Sequence, residues 1–308
     1  MDVVVVGSCN VDLICYTPRQ PRPGETIHGT KFHTGYGGKG ANQCVMAAKL
    51  GARTAMVAKL GNDFYGNNTK ENFKQHEVDD THVKQTDRDS SGVASIIVSE
   101  DGQNSIVIVS GANLLLSEDD VHAAKDLIRH SKVLVCQLEV PPSTSLAALR
   151  LAKSNKVYSI FNPAPAIENL DPQFYTACDM LCANESEAEL LTGVPITDEQ
   201  SAKLAAKKLH EKGCDTVLVT IGDKGSVLHT SGQEGLHIPA DSVVAVDTTG
   251  AGDAFIGALA FYKATMPTLS LVESVKRASI IAAISCKSRG TQCSFPSADQ
   301  LNPALLTL

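Results

Sequence analysis

Five apolar runs of strand length alternate along the chain with helix-like patterns, and this alternation constrains the fold more than any other feature. The runs are VVVVG from Val3, TAMVAKL from Thr54, KVLVCQL from Lys132, VYSIF from Val157 and TVLVTIG from Thr216. They are continuously apolar, as is typical of parallel strands covered on both faces. Helix patterns follow from Ala41, Ser117 and Ser201. The sequence therefore predicts an α/β fold, with a mostly parallel central sheet and helices on both faces.

Two segments interrupt this alternation, at residues 13–36 and 92–110. The first carries prolines and glycines, and the second has two strand-like pieces on either side of EDGQN, a hairpin pattern. We expect them to form a small second sheet. A lid over a site and an ordinary surface hairpin both fit this pattern. Because no linker composition divides the chain, we expect residues 1–308 to be one domain.

Charge and cysteine content exclude several classes of protein. With a formal net charge of -7, the chain lacks the excess of basic residues that non-specific nucleic-acid binding needs. The nine cysteines form no C-x-x-C pair, and no zinc-ligand spacing occurs. No apolar run approaches the roughly 18 residues of a membrane span. We expect a soluble protein of the cytoplasm, with the nucleus as a second compartment and no nucleic-acid or membrane partner.

A glycine-rich stretch precedes the first helix pattern. The P-loop motif is absent, and the nominal G-x-G-x-x-G of GYGGKG does not follow the first strand as a dinucleotide fingerprint would. GGKGANQ (37–43) has glycines that allow close backbone approach to a ligand, while Lys39 and Asn42 add donors for sugar hydroxyls. A flexible turn capped by Asn42 is the alternative.

GSCNVD follows the first strand, at the edge where open α/β sheets bind ligands. Asn10 and Asp12 in this stretch are suited to binding hydroxyls. The alternative is an ordinary turn, in which both residue types are common.

The stretch DTTGAGDAF (247–255) combines glycines with a carboxylate where a helix begins. Gly250, Ala251 and Gly252 would leave N–H groups unsatisfied at the helix start, which favours an anion. Asp253 can accept a proton from an attacking hydroxyl. An anion hole beside a general base is what phosphoryl transfer to an alcohol requires. Helix capping by Asp253 would explain the acid but not the glycines.

These motifs together resemble those of the ribokinase-like carbohydrate kinases. GGKGANQ resembles the family's N-terminal signature and DTTGAGDAF its C-terminal signature, in the same order and separation. GETIHG, NPAPA and NESEAELLTG lie before and between them as in the family. Lys39 and Gln43 favour the ribokinase branch. The resemblance spans nearly the whole chain.

The resemblance implies roles for individual positions. Asp253 corresponds to the base that deprotonates the sugar's terminal hydroxyl, and Gly250, Ala251 and Gly252 correspond to the anion hole. The implied sugar contacts are Asn10, Asp12, Gly38, Lys39, Gly40, Asn42, Glu139 and Asp253. The implied ATP contacts are Asn184, Thr220, Gly222, Lys224, Gly225, Gly252 and Ser279. Many relatives have asparagine where this chain has Ser279, so we expect the adenine contacts to differ.

Two cation sites are also implied. Asn184 and Glu187 would place Mg²⁺ through water, beside the ATP phosphates. The implied potassium loop comprises Asp247, Thr249, Ser285, Ser288, Gly290 and Ser294. In the family, insertions form a β-sheet lid over the sugar that often makes a dimer interface. The resemblance therefore implies a lid at residues 13–36 and 92–110 and a homodimer.

The implied activity is ATP-dependent phosphorylation of D-ribose at the 5-hydroxyl. A kinase for 2-deoxyribose or another small sugar is the alternative within the same class. A sugar- or nucleotide-binding sensor without turnover is the alternative from a different class, although a sensor has no need of Asp253.

Overall fold

The computed structural model describes residues 1–308, apart from the side chain of Glu234. Its strands, in chain order, are β1 (Val3–Val6), β2 (Asn10–Thr17), β3 (Lys31–Gly37), β4 (Thr54–Gly61), β5 (Asp79–Thr86), β6 (Gly92–Ser99), β7 (Asn104–Val109), β8 (Val133–Cys136), β9 (Tyr158–Phe161), β10 (Met180–Ala183), β11 (Thr216–Thr220), β12 (Ser226–Thr230) and β13 (Gln233–Ile238). Its α-helices are α1 (Lys39–Lys49), α2 (Phe64–Gln75), α3 (Glu118–Ala123), α4 (Lys125–Arg129), α5 (Pro142–Ser154), α6 (Gln173–Ala177), α7 (Glu185–Thr192), α8 (Glu199–Glu211), α9 (Ala251–Thr265) and α10 (Leu271–Ser285).

The central sheet has the order β13-β12-β11-β10-β9-β8-β1-β4-β5. The strands from β11 to β5 are parallel, and the edge strands β12 and β13 are antiparallel. Val3 and Val5 pack in the core with α1, α9 and α10, whereas Val4 and Val6 pack with α5 and α8 on the other face. The predicted α/β class, with helices on both faces, is therefore confirmed.

All five predicted strand runs lie in this sheet, but one predicted helix differs. The pattern from Ser117 forms two short helices, α3 and α4, that meet at Ala124. The N–H of Ala124 is shared between the carbonyls of Asp120 and Val121, so the last turn of α3 tightens and the helix ends there. Ser117 caps α3 as its sequence suggests.

A separate sheet with the order β3-β2-β6-β7 contains both segments that interrupt the alternation. The predicted hairpin of residues 92–110 is its β6–β7 pair. The sheet begins at Asn10, earlier than the predicted insertion at residue 13, because β2 is hydrogen-bonded to β3 on one side and β6 on the other. Asn10 and Asp12 consequently lie in a strand and not in a turn.

The carboxyl edge of the central sheet gathers the polar segments of the chain. The segments that follow β1, β8, β9 and β10 begin at this edge, and the amino ends of α1 and α9 lie beside them. Among the described residues, no helix has the length and hydrophobicity needed to cross a membrane.

Candidate active site

Asp253 is the buried centre of the site. It lies in the first turn of α9 with only 8% of its surface exposed. Its Oδ2 accepts from Asn42 Nδ2 at 2.8 Å, and its Oδ1 accepts from Gln43 Nε2 at 2.9 Å. Since both donors lie on α1, the two glycine-containing motifs meet at this carboxylate.

Opposing effects act on the pKa of Asp253. Burial raises its pKa, while the ammonium of Lys39 and the amides of Asn42 and Gln43 act in the opposite direction. Burial opposes the charge of Lys39, but the carboxylates of Asp253 and Glu139 outweigh it and raise the pKa of Lys39. The site therefore holds a carboxylate beside a cation and two amide donors, which favour its ionised form.

The glycines that precede Asp253 differ in their surroundings. Gly250 has a φ of 79°, and a Cβ there would overlap Thr291 Cγ2. At Gly252, a Cβ would meet no described atom within 4 Å. Gly252 instead faces a cavity of about 170 Å³ whose wall includes Lys39, Asn162, Glu187 and Asp253. The open space at the start of α9 therefore adjoins the buried carboxylate.

Glu139, which follows β8, connects Ser8 after β1 with the start of α1. Glu139 Oε2 accepts from Ser8 Oγ at 2.5 Å and from the backbone N–H of Lys39 at 2.9 Å. Burial, together with the charges of Glu139 and Asp253, raises the pKa of Asp12 to about 6. Asp12, Lys39, Glu139 and Asp253 thus lie close enough for their charges to act on one another.

Close packing explains why residues 38 and 40 are glycines. A Cβ at Gly38 would lie 2.7 Å from Asn10 N, and one at Gly40 would lie 2.7 Å from Ser8 N. The close approach that these glycines permit is thus to the chain itself. This contact seats α1 against the end of β1 and places Lys39, Asn42 and Gln43 toward Asp253.

Only part of the predicted ATP set lines the cavity. Asn184, Thr220 and Gly252 lie in its wall, and Glu187, predicted as a magnesium residue, lies there with them. Glu187 also forms a capping box with Asn184 at the start of α7, and burial raises the pKa of Glu187.

Other members of the predicted ATP set lie elsewhere. Gly222 lies next to the carboxylate of Glu185, and Gly225 packs against β13 at Ile238. Lys224 donates to the carbonyl of Thr197, and Ser279 is half-buried on α10. None of these four is in the described cavity wall.

The predicted potassium residues converge on one loop pair. Asp247 Oδ1 accepts from Thr249 N at 3.0 Å, and Asp247 Oδ2 accepts from Gly290 N at 2.9 Å. Burial acts against ionisation of Asp247, but these N–H donors hold its pKa below the ordinary value. The hydroxyl of Ser285 donates to the carbonyl of Ala282, and that of Ser294 donates to the carbonyl of Thr291. Ser288 lies between them on the same loop, three residues after Ser285.

A family model decides the class of protein. The model described as pfkB family carbohydrate kinase matches residues 1–298. The chain belongs to the pfkB family of carbohydrate kinases. As a pfkB carbohydrate kinase, it uses ATP to phosphorylate a sugar.

Individual pfkB relatives align over nearly the full length. A ribokinase of Mus musculus is 52% identical over 304 residues, which are 98% of this chain and 94% of that protein. A deoxyribokinase of Salmonella typhi is 41% identical over 305 residues, with 99% of each chain covered. A solved structure, of an Arabidopsis thaliana ribokinase complexed with ribose and ATP, is 31% identical, with a TM-score of 0.89 and coverage of 99% of this chain and 98% of that one.

Several buried amides of this pfkB kinase were not assigned from sequence. Gln43 Oε1 accepts from Gln137 Nε2 at 2.5 Å, and Asn42 Oδ1 accepts from Gln292 Nε2 at 3.0 Å. Gln43 has a local signal, since Lys39, Asn42 and Gln43 are spaced i, i+3 and i+4 on one helix face. Gln137 and Gln292 come from distant segments, so no local pattern marks them.

Proposed function

We propose that this protein phosphorylates D-ribose at the 5-hydroxyl with ATP and releases ribose 5-phosphate and ADP. The ribokinase relatives support this substrate. The observation that carries the proposal is Asp253, which is buried, held by two amides and placed beside Lys39 at the edge of the cavity.

In the proposed reaction, Asp253 takes the proton of the 5-hydroxyl. A bond then forms between that oxygen and the γ-phosphorus, and the bond from the γ-phosphorus to the β–γ bridging oxygen breaks. In this proposal the N–H groups of Gly250, Ala251 and Gly252 at the start of α9 stabilise the charge on the transferred phosphoryl group. The N–H of Ala251 also donates to the carbonyl of Thr248 at 3.2 Å, so the expectation that all three are unsatisfied is wrong for Ala251. Positioning and charge stabilisation supply most of the catalysis in such transfers.

Asn10, Asp12, Gly38, Lys39, Gly40, Asn42 and Glu139 surround the sugar in this proposal. Asn184, Thr220 and Gly252 contact ATP from the cavity wall in this proposal. Gly222, Lys224, Gly225 and Ser279 lie outside that wall and would contact the part of ATP that extends beyond the cavity. Because the chain has no division into separate domains by composition, we treat residues 1–308 as one domain with the second sheet as its lid. Cysteines without C-x-x-C spacing support a cytoplasmic or nuclear location.

The donor set fits magnesium held through water. The described residues contain no cluster of three or more His, Cys, Asp and Glu side chains suited to direct metal binding. Glu187 and Asn184 lie in the cavity wall, so they would act through water and the ATP phosphates. Bound magnesium supplies charge neutralisation on those phosphates.

The oxygen-rich loop pair around Asp247 fits a monovalent cation. We expect potassium to raise kcat and sodium to raise it less, because a cation bound there would order the glycines that follow Thr249. Asp247→Ala should abolish the response, and Asp241→Ala, an exposed carboxylate in the same loop, should retain it. The measurement is initial rate against potassium concentration. Equal wild-type rates with and without potassium would contradict the assignment.

The edge strand β7 supports a homodimer formed through the lids. Ile106, Val107, Ile108 and Val109 are each more than half exposed, and a long exposed apolar edge tends to pair with another strand. We expect light scattering at micromolar concentration to give twice the 32.6 kDa chain mass. Val107→Lys should shift the protein toward monomer, whereas Lys125→Ala on α4 should not. Monomer alone in the wild type would refute the interface.

A substrate panel at fixed ATP tests the function. A site that hydrogen-bonds a hydroxyl disfavours a substrate that lacks it by about 1–3 kcal/mol, so ribose should exceed 2-deoxyribose by roughly 10- to 100-fold in kcat/KM. Asn10→Met should narrow this gap, and Asp12→Ala should cripple the use of both sugars. Equal wild-type values would favour the deoxyribose alternative, which the Salmonella deoxyribokinase relative supports.

A further inference from the structure

Asn113 is a buried side chain that the proposed reaction does not use. It lies in a 3₁₀ turn, Gly111–Leu115, directly after β7, and is 1% exposed. Its Oδ1 accepts from the backbone N–H of Cys9 at 2.9 Å, and its Nδ2 donates to the carbonyl of Cys9 at 3.0 Å. The same Nδ2 donates to Asn10 Oδ1 at 2.8 Å. Asn113 thus joins the start of β2 to the turn that leaves the second sheet.

These contacts fix the direction of two amides. The backbone N–H of Cys9 can only donate and its carbonyl can only accept, so the oxygen and nitrogen of Asn113 cannot exchange places. Because Asn113 offers a donor to Asn10, Asn10 must turn its oxygen toward Asn113. Asn10 Nδ2 then points away from Asn113, and no hydrogen bond within the described part of the chain occupies it.

The backbone holds the two amides close together. Asn10 on β2 lies opposite Gly92 on β6 in the parallel register. A Cβ at Gly92 would overlap both Asn10 Oδ1 and Asn113 Nδ2. Only glycine permits this approach, so the pair cannot be replaced by a looser arrangement without moving β6.

Asp12 provides an acceptor next to the donor of Asn10. The two residues are i and i+2 on β2, so their side chains lie on the same face. At pH 8, above the pKa of about 6 for Asp12, its carboxylate is ionised and accepts only. A hydroxyl can accept from Asn10 Nδ2 and donate to Asp12 at once, whereas a hydrogen atom in its place can do neither.

We propose that Asn113 is a positioning residue that sets the sugar preference, because it orients the amide of Asn10 to offer an N–H to one hydroxyl of the substrate. Asn113 itself touches no substrate. This inference rests on the proposed ribose kinase activity. It adds the residue that determines whether Asn10 presents its Nδ2 or its Oδ1 to the sugar.

The test is kcat/KM at pH 8 for ribose, 2-deoxyribose and 3-deoxyribose, with ATP fixed, in the wild type and in Asn113→Asp. The substituted carboxylate keeps the shape of the side chain but loses the donor, so Asn10 reverses its amide and presents oxygen to the sugar. We expect kcat/KM for ribose to fall roughly 10- to 100-fold, on the scale of one mispaired buried group. The value for the deoxy sugar that lacks the recognised hydroxyl should change by less than about threefold.

Two further variants separate positioning from folding. If part of a variant preparation is unfolded and inactive, the apparent kcat/KM falls by the same factor for every sugar, and the ratio between sugars is unchanged. Asn10→Asp keeps the bond from Asn113 but removes the donor, so it should lose the same preference even where Asn113→Asp is too unstable to purify. Asn155→Asp, an exposed change at the end of α5, should keep the wild-type ratio.

The outcomes also separate this inference from the proposed function. A wild type without ribose turnover refutes the proposed function. A wild type that prefers ribose, together with an Asn113→Asp protein of unchanged ratio, refutes only the role of Asn113. Retention of the preference in Asn10→Asp, or equal use of the three sugars by the wild type, also overturns it.

Discussion

Asp253→Asn lowers kcat at least about 10²-fold, on the scale of a positioned general base. The amide keeps the size of the side chain but cannot take the proton of the sugar hydroxyl. It also has one oxygen for the two donors of Asn42 and Gln43. The loss of one hydrogen bond is offset because no charge is then buried, so the melting temperature should change little.

The measurement is single-turnover phosphate transfer with saturating ribose and ATP, alongside thermal unfolding. Asp179→Asn is the matched control, because Asp179 accepts from Ser159 N and Oγ at the opposite edge of the sheet. The control should keep near-normal turnover. Near-normal turnover in Asp253→Asn would instead remove Asp253 from the role of base.

Gly252→Ala is expected to lower kcat about 10²-fold, the scale of a lost anion-hole interaction. A Cβ at this position meets no described atom and extends toward the cavity, where it competes with the transferred phosphoryl group for space. Because alanine favours a helix over glycine by about 1 kcal/mol, the same change should slightly raise stability. Lower turnover with higher stability is the expected combination.

Gly250→Ala distinguishes this effect from backbone strain. Its φ of 79° and the overlap of a new Cβ with Thr291 should lower the melting temperature. Comparing kcat and thermal unfolding in the two variants therefore separates occupation of the cavity from damage to the loop. Unchanged kcat in a stable Gly252→Ala protein would contradict the proposed anion hole.

Five strands of the central sheet could be predicted because they are apolar on both faces, whereas the polar edge strand β5 and the four-residue β10 were not predicted. Val3–Val6 is buried at every position, so its sequence has an unbroken apolar signal. The strands β12 and β13 gave no comparable prediction, since they form an antiparallel edge with polar residues such as Gln233. The break at Ala124 depends on how one N–H is shared, which no residue pattern specifies.

The site was predictable where its residues are neighbours in sequence. Asp253 follows its glycines directly, and Lys39 and Asn42 share a helix turn. Gln292 and Asn113 act through hydrogen bonds to residues more than 100 positions away, so only the fold reveals them. The packing role of Gly38 and Gly40 likewise depends on contact with the segment 7–10 that follows β1, which the motif alone does not specify.

The most direct test of the central claim is phosphorus NMR of the purified protein with ribose, ATP, magnesium and potassium. The account predicts one ADP for each ribose 5-phosphate, with phosphorus coupled to the protons on C5 of the sugar. Asp253→Asn should form this product at least about 10²-fold more slowly. Binding of ribose and ATP without any sugar phosphate would show a sensor and contradict the account.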